Sequence, residues 1–256
     1  MFWLNLLCLL FYFCLSLLVF FCLYYFGILP TYVPIRYKQN LLDFILDAIK
    51  VYVTDFKSRT PDDFQETGII IYEGPQGSGK TISMCYDALM IKNRYPKSIL
   101  IDNLGLKNHD LSFNHPSQLC ELNNGKFGIC TLIDECGILF NNRDYKHFQD
   151  TGMLQIIFEN RKVRRCLMGT TQKFMLIDKN LRIQTKEIRS AFTLGSVTGY
   201  IRKVPQCDAE GNVVRYKFRG IKVFVQSHEL RDAYDTYLVI RKFNDEGYKD
   251  ATKKNS

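Results

Sequence analysis

Three short stretches of this chain combine side chains suited to cutting a phosphoanhydride. Gly74, Pro75, Gln76, Gly77, Ser78, Gly79, Lys80 and Thr81 match the pattern GxxxxGK[ST] in full. Its glycines let successive backbone N–H groups turn toward phosphate oxygens, Lys80 can reach the terminal phosphates, and the Thr81 hydroxyl can ligate magnesium. The stretch therefore suits ATP with Mg2+ as its cofactors. The second stretch, Ile129 to Glu135 (ICTLIDE), ends an apolar run in two acids. Asp134 is expected to hold the magnesium through water, and Glu135 to polarise a water for attack on the γ-phosphate. The third, Cys166 to Gln172 (CLMGTTQ), ends an apolar run in polar residues. In ATPases with a strand inserted between the phosphate-loop strand and the acidic strand, a polar group at the inserted strand's tip can touch the γ-phosphate or the attacking water. Gln172 suits that role because it donates and accepts at once. An oligomeric ATPase also needs an arginine supplied in trans. Arg161, from the RKVRR run at 161–165, and Arg182 are the candidates, although a solvated helix end accounts for the run equally well.

Elements of a particular kind must carry these groups. Gly68 to Tyr72 (GIIIY) reads as a buried strand feeding the glycine-rich loop, and Lys80 to Arg94 as the helix leaving it. Strands are expected at Ser98–Ile101, Gly128–Ile133 and Arg165–Thr170, with a helix at Tyr145–Val163 before the last of them. Strands spaced by helices imply an α/β fold with a mainly parallel central sheet. Beyond about Lys186 the pattern turns antiparallel: Phe192–Val204, a loop at Pro205–Asn212, then Val213–Val225, with a further strand at Tyr237–Arg241. Before the first strand, Leu42, Ile45, Ile49, Tyr52 and Phe56 recur at three- and four-residue steps opposite charged residues. That spacing predicts an amphipathic helix over about Asn40–Phe56, which packs on its own domain, lies on a membrane, or joins subunits.

The same motifs in the same order resemble the Zot-like (zonula occludens toxin) family of filamentous-phage assembly ATPases, part of the FtsK-HerA group of P-loop motors. The resemblance rests on GPQGSGKT, LIDECG, Phe158-Glu159-Asn160-Arg161-Lys162, the TTQ ending at Gln172, and Ile177-Asp178-Lys179-Asn180-Leu181-Arg182. It covers about Gly68 to Arg182 well and the tail more loosely. It implies a P-loop NTPase whose sheet carries the additional strand and a catalytic Glu. Lys80 and Thr81 would be nucleotide and magnesium ligands, Asp134 the Walker B acid, Glu135 the base and Gln172 the sensor. It also implies a hexamer that moves single-stranded DNA, or a nucleoprotein complex with coat or export-channel proteins, through the inner membrane during virion assembly. The family's usual order puts the membrane helix after the ATPase, whereas here it comes first.

Composition sets the surroundings. Of 256 residues 46% are hydrophobic, yet no charged side chain precedes Arg36, so the remainder holds all of the net charge of +8. Phe2 to Leu29 is nearly unbroken apolar sequence, and a helix of roughly 20 such residues crosses a hydrocarbon core of about 30 Å. Lys and Arg follow the run and none precedes it, which predicts an external N-terminus and a cytoplasmic ATPase domain in an inner membrane. The nine cysteines show neither a CxxC pair nor a nearby His cluster, which excludes a zinc site or disulfide framework as the organising feature. The expected organisation is a transmembrane helix at 1–30, a connector with the amphipathic helix at 31–66, the ATPase core at 67–186 and a β-rich extension at 187–256. The basic surplus also suits nucleic acid or anionic lipid. Two other function classes share the P-loop. A membrane-tethered kinase would require neither Glu135 nor Gln172, and a nucleotide-gated scaffold recruiting coat or channel proteins would share every motif.

Overall fold

The computed structural model describes residues 2–26, 33, 40–58, 60, 62–114, 118, 121–139 and 160–234. The chain divides into two compact units, 1–61 and 62–256. In the first, α1 runs over Phe2–Tyr25 and α2 over Leu41–Ser58. Helix α1 is apolar around its whole circumference, with Leu7, Leu9, Phe11 and Tyr12 each about two-thirds exposed. It is long and apolar enough to cross a membrane, with mean hydropathy 2.8 over Leu6–Leu23. Helix α2 matches the amphipathic period. Phe21 and Tyr25 of α1 meet Tyr52 and Phe56 of α2, with ring centroids 6.4 and 6.5 Å apart.

The second unit is built on one eight-stranded sheet in the order β3-β2-β4-β5-β1-β6-β7-β8. Its strands are β1 Gly68–Glu73, β2 Ile99–Asp102, β3 Leu111–Ser112, β4 Ile129–Ile133, β5 Arg165–Thr171, β6 Thr185–Leu194, β7 Val197–Cys207 and β8 Val213–Val225. From β3 to β6 every pairing is parallel; β6–β7 and β7–β8 are antiparallel. Helix α3, Lys80–Arg94, follows β1, and the described residues also include the short α-helices α4 Cys136–Leu139, α5 Lys179–Gln184 and α6 His228–Arg231.

Parallel strands buried on both faces read as unbroken apolar runs, and alternate residues of β1 serve opposite cores. Ile70 and Tyr72 pack with Met84, Cys85 and Ala88 of α3 on one face. Ile69 and Ile71 pack with Leu167, Phe174, Ile177 and Leu181 on the other. A buried polar cluster joins α3 to the antiparallel end. Asp87 accepts from the Tyr72 and Tyr200 hydroxyls and Arg189 Nη1, each at 2.6 Å on Oδ2, and from Lys222 Nζ at 2.6 Å on Oδ1.

The strands expected at Gly68–Tyr72, Ser98–Ile101, Gly128–Ile133 and Arg165–Thr170, and the helix at Lys80–Arg94, agree with the structure to within a residue or two, whereas β3 was not expected. The antiparallel region differs. The run expected as one strand, Phe192–Val204, is the end of β6, a two-residue turn, and β7. Gly195, at φ +60°, makes that turn with Ser196, so that Leu194 pairs with Val197. Residue 187, where the extension was expected to begin, falls inside β6, and β6 is still parallel to β1. Strand β7 also runs through Pro205 to Cys207, leaving only Asp208–Asn212 as the turn. Most of the helix expected at Tyr145–Val163 lies outside the described residues, and its last part, Asn160–Val163, is a turn. The expected strand Tyr237–Arg241 lies outside them too.

Candidate functional site

Because β1, β2, β4 and β5 are parallel, the segments that follow them leave the sheet at one edge. The glycine-rich loop leaves β1 there, Asn103 follows β2, Asp134 and Glu135 follow β4, and Gln172 follows β5. The order β4-β5-β1 puts β5 between the acidic strand and the phosphate-loop strand, which is the inserted-strand arrangement expected from Gln172.

The loop is shaped by its glycines. Gly74, Gly77 and Gly79 have φ of +153°, +77° and +86°, values that L side chains rarely adopt. At Gly79 space forbids a side chain as well, since a Cβ would lie 2.4 Å from Thr193 Oγ1 and 2.7 Å from Thr198 Cγ2. Those threonines flank the β6–β7 turn, and Thr193 Oγ1 donates to the Ser78 carbonyl at 3.1 Å. The antiparallel end of the sheet thus supports the loop from behind. Helix α3 begins directly after Gly79 with no side-chain cap. The first amides of a helix have no intrahelical partner, and a helix start without a cap favours anions. The buried Ser78 hydroxyl also lacks a hydrogen-bond partner. Lys80 Nζ donates to the Pro75 carbonyl at 2.9 Å, bridging the loop.

Asp134 joins the three stretches. Its Oδ1 accepts from Thr81 Oγ1 at 3.0 Å and from Thr170 Oγ1 at 2.5 Å. Burial raises the Asp134 pKa above the ordinary carboxylate value, and the hydrogen bonds from Thr170 and Thr81 oppose that rise. With one carboxylate oxygen engaged beside the Thr81 hydroxyl, the donor set is hard oxygen, as Mg2+ requires. The orphaned Ser78 hydroxyl, the uncapped helix start and this oxygen pair fit a magnesium nucleotide.

Glu135, half-buried, stands in the left-handed region at φ +51°. A non-glycine residue held there is strained by about 1–3 kcal/mol, so surrounding contacts must hold it. Its N–H donates to Thr170 Oγ1 at 2.9 Å. Thr170 thus touches both acids at once, a role that sequence reasoning missed. The polar tip of CLMGTTQ was visible, but which of its side chains turns toward β4 depends on register. Asn103 was also missed. Gln172 is exposed at the same edge.

The two arginine candidates lie elsewhere. Arg161 precedes β5 and Arg182 precedes β6, at the edge opposite the phosphate loop. Arg161 is exposed. Arg182 is 6% exposed, and its Nη1 donates to the Met175 carbonyl at 2.8 Å.

No known family profile matches the sequence, and no curated protein does. Several solved structures are similar to the chain. The N-terminal domain of zonular occludens toxin from Neisseria meningitidis is 16% identical, with 66% of this chain and 100% of that one covered at a TM-score of 0.45. The genome packaging NTPase B204 from Sulfolobus turreted icosahedral virus 2, in complex with ATP-gammaS, is 20% identical, with 53% and 77% covered at a TM-score of 0.38. The flagellar accessory protein FlaH from Methanocaldococcus jannaschii is 12% identical, with 62% and 89% covered at a TM-score of 0.35.

Proposed function

We propose that this chain is a membrane-anchored ATPase motor that couples ATP hydrolysis to DNA packaging or export during virion assembly at an inner membrane. One observation carries the ATPase reading: the Thr81 hydroxyl and the Thr170 hydroxyl meet on Asp134, with Glu135 next in the chain and the phosphate loop alongside.

The loop from Gly74 to Gly79 and Lys80 would hold the phosphates of ATP, and Thr81 with Asp134 would hold Mg2+. When bound, the magnesium nucleotide supplies the γ-phosphate and the charge neutralisation for its transfer. Glu135 takes a proton from a water and so makes it nucleophilic. Gln172 orients that water by accepting from it and donating to phosphate oxygen. Arg161, which is exposed, and Arg182 are the candidates for action in trans within a hexamer.

The DNA reading is supported by the motif resemblance and by β7 and β8. Arg215, Lys217 and Arg219 are exposed, Tyr216 and Phe218 are 44% and 63% exposed between them, and Lys203 Nζ lies 5.4 Å from the Tyr216 ring centre. Cations interleaved with aromatic rings suit the backbone and bases of a single strand. Helix α1 supports anchoring, and the Lys and Arg residues that follow it favour an outer N-terminus and a cytoplasmic ATPase unit. Coat or export-channel proteins complete the proposed assembly.

The test uses the full chain purified in detergent, with ATP turnover measured with and without single-stranded DNA, and subunit number by light scattering. Turnover that rises with DNA in a hexamer is expected. A monomer indifferent to DNA would sink the motor, and phosphate transfer to a small acceptor in place of water would identify a kinase.

A further inference from the structure

Asn103 has no role in the site so far described, yet it is the side chain most intimately bonded to the main chain of the acidic pair. It is 9% exposed, directly after β2, the strand that pairs with β4 on the side away from β5. Its Oδ1 accepts from the Asp134 N–H at 2.8 Å, and its Nδ2 donates to the Asp134 carbonyl at 3.3 Å. Reversing the amide would set donor against donor and acceptor against acceptor, so only this orientation satisfies both groups.

The Asp134 carbonyl and the Glu135 N–H belong to one planar peptide unit. Asn103 Nδ2 holds the oxygen of that unit from the β2 side, and Thr170 Oγ1 holds its N–H from the β5 side. The orientation of this plane is one of the two determinants of the Glu135 backbone, which stands at φ +51°. Without support a residue other than glycine would relax toward negative φ, and its side chain would swing away from the phosphate edge. The segment carrying Asn103 is itself firm. Asp102 Oδ1 accepts from the N–H groups of Leu104 and Leu106 at 2.7 and 3.2 Å, and the Lys107 N–H donates to the Ala233 carbonyl at 2.8 Å.

We propose that Asn103 is a positioning residue for ATP hydrolysis: by clamping the main chain of Asp134 it holds Glu135 in the left-handed conformation that aims its carboxylate at the attacking water. This rests on the ATPase reading above. Asn103 bonds the main chain of Asp134, so its loss bears on hydrolysis and leaves nucleotide binding largely unchanged.

The experiment compares native full-length chain with Asn103→Ala, Asn103→Asp and Glu135→Gln, alone and combined. In Asn103→Ala, kcat falls about 10- to 100-fold, the loss that a misplacement near 1 Å produces, while affinity for a fluorescent ATP analogue changes less than about 3-fold. Asn103→Asp keeps the acceptor for the Asp134 N–H and loses the donor, so its kcat falls between the two. Adding Asn103→Ala to Glu135→Gln lowers the residual rate no further. Amide hydrogen exchange supplies a readout that needs no turnover: Asn103→Ala speeds exchange at Asp134 and Glu135 and leaves Ile129–Ile133 protected. Unchanged exchange at the acidic pair would overturn the clamp even if the native chain proved inactive. Unchanged kcat in Asn103→Ala, or an additive loss on Glu135→Gln, would overturn its catalytic consequence. Loss of ATP turnover in the native chain, with the exchange result intact, would instead indict the ATPase reading.

Discussion

In the proposed ATPase the residues at the phosphate edge divide into those that would hold a nucleotide and those that would act on it. Lys80 and the loop amides would belong to the first group. Lys80→Ala is expected to weaken ATP binding by 10-fold or more, about 1.4 kcal/mol at least, read by equilibrium binding of a fluorescent analogue. Glu135→Gln leaves the shape of the site and removes the proposed base. It should retain binding and lose about 100- to 10,000-fold in turnover, and a variant that still hydrolysed ATP at the native rate would show that Glu135 is not the base. Thr170 bonds Asp134 and Glu135 together. Thr170→Val keeps the shape and loses both bonds, so turnover should fall while Thr170→Ser restores it. Sequence motifs named the chemistry here, since GPQGSGKT and LIDE carry their own spacing. Thr170 and Asn103 were not legible, because each acts across strands that are distant in sequence and adjacent in the sheet.

At the scale of elements, two buried carboxylates brace the antiparallel end, one from the phosphate-loop helix and one from β6. Asp87 on α3 takes four hydrogen bonds from β1, β6, β7 and β8, and Glu187 on β6 pairs with Arg189 and Arg202. Asp87→Ala would leave Arg189 and Lys222 facing a void and should cost about 3–5 kcal/mol, measured by urea unfolding of the detergent-solubilised chain. Glu187 carries a pH signature. Burial alone raises its pKa, but the hydrogen bonds and charges of Arg202 and Arg189 outweigh burial, and the net direction is down from 4.5. A lowered folded pKa gives stability that is fully present above the unfolded value and is lost as pH falls through the folded one. The stability difference between native chain and Glu187→Gln should therefore be largest above about pH 4.5 and shrink below it. A difference that grew on acidification would contradict this sign. The strands of the parallel half were readable as short apolar runs between turn residues. Strands β6 and β7 were not separated in the same way, because Thr193-Leu194-Gly195-Ser196-Val197 continues an extended pattern through a turn that needs only Gly195 at positive φ.

At the scale of the whole molecule, the uncharged N-terminal run and the basic remainder imply two solvents. Helix α1 is expected to keep the full chain in membranes washed with alkaline carbonate, and a chain lacking residues 1–30 to be released. Protease added to the cytoplasmic face should digest the ATPase unit, and digestion only from the outer face would reverse the orientation.

Sequence alone pointed to the nucleotide chemistry, the parallel α/β core and a helix long and apolar enough to cross a membrane, because each is written in contiguous residues: a loop of fixed spacing, short apolar runs, and a long one. Tertiary structure decided what depends on strand order. It set β5 between β4 and β1 and so brought Thr170 to Asp134, and it placed Asn103 beside the same acid from β2. It also buried Arg182, whose guanidinium donates to the Met175 carbonyl. Hydrogen bonds between strand tips act over about 3 Å and require register, and register is a property of the folded sheet.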